Sequence, residues 1–133
     1  MIYKVADLDV YKLSIELLKD LYIFLDNAPK SEYDLVKNCK RAAKSIPANI
    51  TEGFAKKTHE AVFKNHLLIS LGSSDEVVAH IETLIAVVPR LSDKAKIIIE
   101  KYIRLSKQLN TLHKNWHTYN FRSSELSEFF RYI

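Results

Sequence analysis

Glycine and proline are scarce in this chain, with two Gly and three Pro in 133 residues. Sandwiches, barrels and glycine-rich phosphate loops draw their tight turns from those residues, so composition argues against all three. A single cysteine, Cys39, rules out an internal disulfide framework and any multi-cysteine zinc site. No run of about 18 apolar residues is present to span a bilayer. The opening Met1-Ile2-Tyr3-Lys4-Val5-Ala6-Asp7 lacks the apolar region of an export signal. With a free thiol, that points to a soluble protein of the reducing cytoplasm, where the sequon-like Asn49-Ile50-Thr51 has no meaning. What the chain does have is 47% hydrophobic and 27% charged residues. Its length suits one domain, which usually takes about 100–200 residues, and residues 1–133 are read as a single all-helical unit.

The chemistry-bearing patterns are missing as well. A di-iron bundle needs Glu-x-x-His pairs on two helices, yet Glu60, Glu76 and Glu82 are followed three residues on by Phe63, Ala79 and Ile85. His113 and His117 are four apart and could share a metal, but they stand alone, and no metal or other cofactor is expected. No Gly-x-Ser-x-Gly elbow occurs, and Gly53 and Gly72 cannot form a P-loop. Cys39 lies on an apolar stripe and reads as a small core residue. Glu52 is one candidate buried carboxylate, without the partner an acid–base pair needs. The chain is therefore expected not to be an enzyme.

Four long segments carry helical periodicity. In the first, Leu8, Tyr11, Ile15, Leu18, Tyr22 and Leu25 share one face, with Asp7 or Asp9 available as a cap. A second stripe, Val10, Leu17, Leu21 and Phe24, lies about 100° round the helix. It serves either a second neighbour in the bundle or another subunit, and is taken as the candidate oligomer interface. The second segment runs from about Ser31 to Lys57 with Leu35, Cys39, Ala42, Ile46, Ile50 and Phe54 inward. Pro47 inside it should kink or break the helix near Lys44. The third, about Thr58 to Val88, has Phe63, Leu67, Leu71, Val78, Ile81, Ile85 and Val88, with the small patch Gly72-Ser73-Ser74 suited to close helix approach. The fourth carries Ala95, Ile98, Tyr102, Leu105, Leu109, Leu112 and Trp116. Beyond Tyr119, the apolar tail (Phe121, Leu126, Phe129, Phe130, Tyr132 and Ile133) should form a short helix docked on the bundle or on a neighbour. The expected fold is an antiparallel up-down-up-down four-helix bundle.

Charge is distributed unevenly. The net charge is +4, but residues 30–66 carry 8 basic against 4 acidic groups and residues 93–133 again 8 against 4. Lys37, Lys40, Arg41 and Lys44 fall within about 100° of arc on the outer face of the second segment, and Lys56-Lys57 continue the run. Lys101, Arg104 and Lys107 form a second set on the fourth segment. Cations grouped in this way suit phosphate contacts, which give affinity without sequence readout. The alternative is a protein-interaction scaffold whose basic faces are only solvated.

The stretch Arg41-Ala42-Ala43-Lys44-Ser45-Ile46-Pro47-Ala48-Asn49-Ile50-Thr51-Glu52-Gly53-Phe54, together with Leu71-Gly72-Ser73-Ser74-Asp75-Glu76, resembles the hallmark of the 23S rRNA intervening-sequence proteins. So does the opening Leu8-x-x-Tyr11-x-x-Ser14, where that family usually has Trp at the second position. Lys40 stands for the first member of a basic pair, Thr51 for the usual Ala, Phe54 for Tyr and Ala55 for Gly. The resemblance implies a homopentamer of four-helix bundles. It extends to the accessory protein of diversity-generating retroelements, which works with a reverse transcriptase and nucleic acid. Five copies would carry about +20, a substantial field. Ser45, Pro47, Asn49, Glu52, Gly53 and Gly72 of the motif are expected to serve architecture or subunit contact: polar contacts beside the proline, a salt bridge from Glu52 to a neighbouring helix, and close approach at the glycines.

Overall fold

The computed structural model describes residues 4–118; the apolar tail expected beyond Tyr119 lies outside them. Four helices follow in order: α1 Asp9–Leu25, α2 Tyr33–Phe54, α3 Glu60–Val87 and α4 Ser92–Asn115. Each of α1, α2 and α4 is preceded by a 3-10 turn, at Val5–Asp7, Lys30–Glu32 and Pro89–Leu91 respectively. The links are short, so consecutive helices run antiparallel. α1 packs on α2 and α4, as does α3, which leaves α1 diagonal to α3 and α2 diagonal to α4. This is the up-down-up-down bundle.

The inward stripes expected for α2 and α4 are buried except at one end of each, where Leu35 and Leu112 are half-buried: Cys39, Ala42, Ile46, Ile50 and Phe54 meet Ala95, Ile98, Tyr102, Leu105, Leu109 and Trp116 in one core. Each fully buried aliphatic or aromatic side chain among them stabilises the fold by roughly 1.5–3 kcal/mol. At one end Phe63 meets Phe54 edge-on with centroids 6.1 Å apart and Trp116 at 4.9 Å, the geometry that aromatic quadrupoles favour.

α1 is turned relative to expectation. Val10, Leu17, Leu21 and Phe24, the candidate subunit interface, are all buried within the chain at 4%, 2%, 0% and 4% exposure. They have no surface to give a partner. Tyr11, Ile15, Leu18 and Tyr22, the inward face by periodicity, are only half-buried. The reason is Ser14. Its hydroxyl donates to the Tyr11 carbonyl at 2.7 Å and so can be buried at little cost. With Ser14 admitted, Val10, Ser14, Leu17, Leu21 and Phe24 form one continuous inward stripe.

α3 repeats the pattern. Ser70 donates to the Ile46 carbonyl of α2 at 3.1 Å, Ser74 to the Tyr102 carbonyl of α4 at 3.1 Å, and Ser106 to Ser74 at 2.8 Å. These serines complete the buried row Phe63, Leu67, Ser70, Ser74, Val77, Ile81 and Leu84, while Leu71 and Val78 sit half-buried at its edge.

α2 continues through Pro47 as one helix of 22 residues, so of the two expected outcomes, kink or break, the break does not occur. The proline withdraws one N–H from the ladder, and side-chain donors gather on nearby carbonyls. Ser45 bonds Ala42, Asn49 bonds the Ser45 carbonyl, and Ser70 bonds Ile46. The caps also differ. Asp7 accepts from the Lys4 N–H and closes the first 3-10 turn, whereas α1, α3 and α4 carry no side-chain cap.

One core group is costly. Tyr102 is fully buried, and its hydroxyl has no hydrogen-bond partner among the described residues. Burial raises its pKa, reinforced by the charges that Cys39, Asp20 and Tyr22 can carry. Replacing Tyr102 by Phe keeps the ring and removes the unpaired group, so the unfolding free energy should rise by about 1 kcal/mol. A urea midpoint that moves up at unchanged slope is the readout. Above the ordinary tyrosine pKa of about 10 the gap should widen, because the wild-type phenol ionises in the unfolded chain before the folded one.

Candidate nucleic-acid interface

The outer face of α2 follows from its inner one. Cys39, Ala42, Ala43, Ile46 and Ile50 must point inward, which leaves Lys37, Arg41 and Lys44 exposed and Lys40 half-buried. Among the described residues none of these four cations is in an ion pair. Lys40 is held instead by a ring: its ammonium lies 4.5 Å from the Tyr22 centroid. The sequence pattern hides this pairing of a basic α2 residue with an α1 aromatic, because periodicity puts Tyr22 in the core.

The continuation of the stripe divides. Lys56, in the turn after α2, is exposed and lies 3.9 Å from Glu52 in the helix's last turn. Glu52 is thus an exposed surface acid, neither buried nor bridged to a neighbouring helix as expected. Lys57 does not belong to the surface at all. It is 1% exposed, with its ammonium 3.4 Å from the Phe54 carbonyl and 3.9 Å from the Phe54 ring centroid. Burial lowers its pKa. The chain turns back into the bundle after Phe54, so a lysine that reads in sequence as the next charge of the run is folded over the aromatic end of the core.

The α4 set lies elsewhere. Lys101 is paired with Asp20 of α1 at 3.1 Å. Arg104 and Lys107 line a groove of about 570 Å³ against α1, where Asp7 and Asp9 also stand. α2 and α4 occupy one diagonal, and the two basic sets border α1 from either side: Lys40 and Lys44 on one flank, Lys101, Arg104 and Lys107 on the other. The α2 set is the one without paired acids.

Two grooves flank it. On the α1 side, Tyr11, Ile15 and Leu18 with Lys44, Pro47, Ala48, Thr51 and Glu52 line about 490 Å³. On the α3 side, Asn38, Arg41, Ala42, Ser45, Glu76 and His80 line a more polar cleft of about 330 Å³. Glu76 and His80, four apart on α3, form its far wall.

Ser45, Asn49 and Gly53 of the motif lie on the seam between α2 and α3. Ser45 also bonds Ser73 of α3, and Asn49 meets His66 at 3.2 Å. A Cβ on Gly53 would come within 2.5 Å of the His66 Cβ, so this glycine sets how closely α2 and α3 approach. These contacts realise the polar seam and the close approach expected of the motif. Gly72 does not: it is exposed, and a Cβ there would meet nothing within 4 Å. A family profile described as 23S rRNA-intervening sequence protein matches residues 6–111, from the start of the fold to the last turns of α4. The chain belongs to that family. No curated protein matches it.

In this family member the described residues hold no cluster of three or more His, Cys, Asp or Glu, and His117 stands 3.5 Å from Glu60. Cys39 is buried, and burial, with the Glu76 charge adding, pushes its thiol up to about 12. That leaves almost no thiolate for nucleophilic work near neutral pH. No helix among the described residues is long and apolar enough to cross a membrane.

Proposed function

We propose that the protein is a non-enzymatic, homo-oligomeric bundle of the cytoplasm that binds structured RNA or DNA through phosphate contacts on α2. The observation that carries this reading is the row Lys37, Arg41 and Lys44, exposed on one face with no ion pair among the described residues. An unpaired cation row attracts polyanions by releasing their condensed counterions. Self-association, with five copies as the resemblance implies, is supported by the half-buried Tyr11, Ile15 and Leu18, which line a groove that the chain itself leaves open.

Fluorescence anisotropy against a structured RNA and a DNA duplex, over a salt series and on a sample of known mass, tests this. The logarithm of the binding constant should fall linearly with log salt, with a slope near 0.9 per phosphate contacted on duplex DNA, and the mass should exceed one chain. Negligible binding at low salt would reduce the stripe to a solvated surface and favour a protein-interaction scaffold. A monomeric mass in light scattering at micromolar concentration would remove the oligomer.

A further inference from the structure

Tyr33 has no role in the fold or in the phosphate contacts just proposed. It is the first residue of α2 and 66% exposed. A large ring left in water at a helix start contributes little to stability, yet its position is well defined. The Tyr33 N–H bonds the Lys30 carbonyl, and Glu32 bonds Pro29 at 2.9 Å, so a 3-10 turn leads straight into α2 beneath the ring.

Tyr33 also stands at the head of the basic row. Tyr33, Lys37, Lys40 and Lys44 follow at i, i+4, i+7 and i+11 and share one helical face, over about 16 Å at 1.5 Å per residue. Beside the ring a groove of about 480 Å³ is lined by Leu25, Pro29, Val36, Lys30, Lys40 and Asp26. Its walls are largely apolar, with cations at the rim on the α2 side.

The charges set which part of a nucleotide goes where. Asp26 lines the groove, and Glu32 and Asp34 flank Tyr33 in sequence, so a phosphate is disfavoured at the ring itself. A base is uncharged and flat, and it stacks on an aromatic face at a gain of about 1–3 kcal/mol. Phosphates to one side of that base would run toward Lys37, Lys40 and Lys44, away from the acids. Bases paired within a duplex hide their faces, whereas loops and bulges splay them out.

We propose that Tyr33 is a stacking platform for an unpaired base, so that the α2 face prefers nucleic acid carrying a single-stranded loop or bulge beside a stem. This rests on the phosphate-binding reading above and adds to it a base contact and a preference. The site does not distinguish ribose from deoxyribose, so both sugars belong in the test.

The test compares wild type, Tyr33→Ala and Tyr33→Phe against two probes, a stem with an unpaired loop and a blunt duplex of the same stem, each as RNA and as DNA. Tyr33→Ala should weaken binding of the looped probe about tenfold and leave the duplex within about twofold. Tyr33→Phe, which keeps the ring face, should stay near wild type on both. Equal loss on both probes, or no loss on either, overturns the stacking platform while leaving the phosphate row intact if Lys37→Glu, Arg41→Glu and Lys44→Glu together still abolish binding. A Tyr33→Phe variant that behaves like Tyr33→Ala overturns it too, since the hydroxyl and not the ring would then be the contact. Wild type that binds neither probe at low salt overturns both readings.

Discussion

Replacing Gly53 with Ala should lower the unfolding free energy by about 2 kcal/mol, whereas the same replacement at Gly72 should raise it by about 1 kcal/mol. Both glycines lie inside helices, where Ala is intrinsically better by nearly 1 kcal/mol, so local propensity alone predicts a gain at each. Space decides the sign. At Gly53 the new Cβ would lie 2.5 Å from the His66 Cβ, 3.0 Å from its Cγ and 3.2 Å from Phe63. A Cβ cannot rotate out of the way as a side-chain tip can, so α2 and α3 must part along a seam that also carries the Ser45, Asn49 and Ser70 hydrogen bonds. Overpacking of this kind costs about 1–3 kcal/mol. The upper end applies where the obstacle is close to backbone, and the propensity gain offsets part of it. At Gly72 nothing lies within 4 Å, and the propensity gain stands alone. Paired urea titrations read both changes, and a gain at Gly53 would show that the α2–α3 seam has slack. Light scattering on Gly72→Ala adds a second readout. A chain that becomes more stable as a monomer but loses mass would place Gly72 at a contact between copies.

Serines account for the part of the fold that the sequence concealed. α2 and α4 were legible because their apolar inward rows, Cys39 to Phe54 and Ala95 to Trp116, run unbroken at helical spacing, with the buried Ser106 beside the α4 row and not in it. α1 reads a third of a turn off because Ser14 interrupts its true inward row, and a polar residue at a core position looks like the edge of a face. In α3, Ser70 and Ser74 displace the apparent stripe toward Leu71 and Val78 in the same way. A serine is cheap to bury only when a carbonyl accepts its proton, and for Ser70 and Ser74 those carbonyls belong to neighbouring helices. No single-helix pattern contains that information. The proposed phosphate-contacting row was legible where it depended on one helix, at Lys37, Arg41 and Lys44. It was not where it depended on chain reversal: Lys57 is adjacent to Lys56 in sequence, yet it is folded onto the Phe54 ring.

Reversing Lys37, Arg41 and Lys44 to Glu should reduce nucleic-acid affinity on the order of 10³-fold, with the salt slope falling by about one for each phosphate no longer neutralised. The reduction should be nearly uniform across sequences, because phosphate contacts carry no base information. Stability should change little, since exposed substitutions away from partners usually stay within about 0.5 kcal/mol and none of the three is in an ion pair among the described residues. Selective loss of one sequence would contradict phosphate-led recognition. The matching change at Lys101, Arg104 and Lys107 tests whether the second basic set takes part. Lys101 holds Asp20 across the α1–α4 seam, so reversing it brings two acids together and needs a stability control; Arg104→Glu with Lys107→Glu avoids that. In one chain the α2 and α4 sets lie on either side of α1. If the α4 pair weakens binding in addition to the α2 triple, the nucleic acid reaches both sets, across α1 of one chain or between copies, and repeating the measurement over a range of protein concentrations of known mass separates the two. If the α4 pair has no effect, α2 binds alone and oligomerisation contributes only by repeating that face.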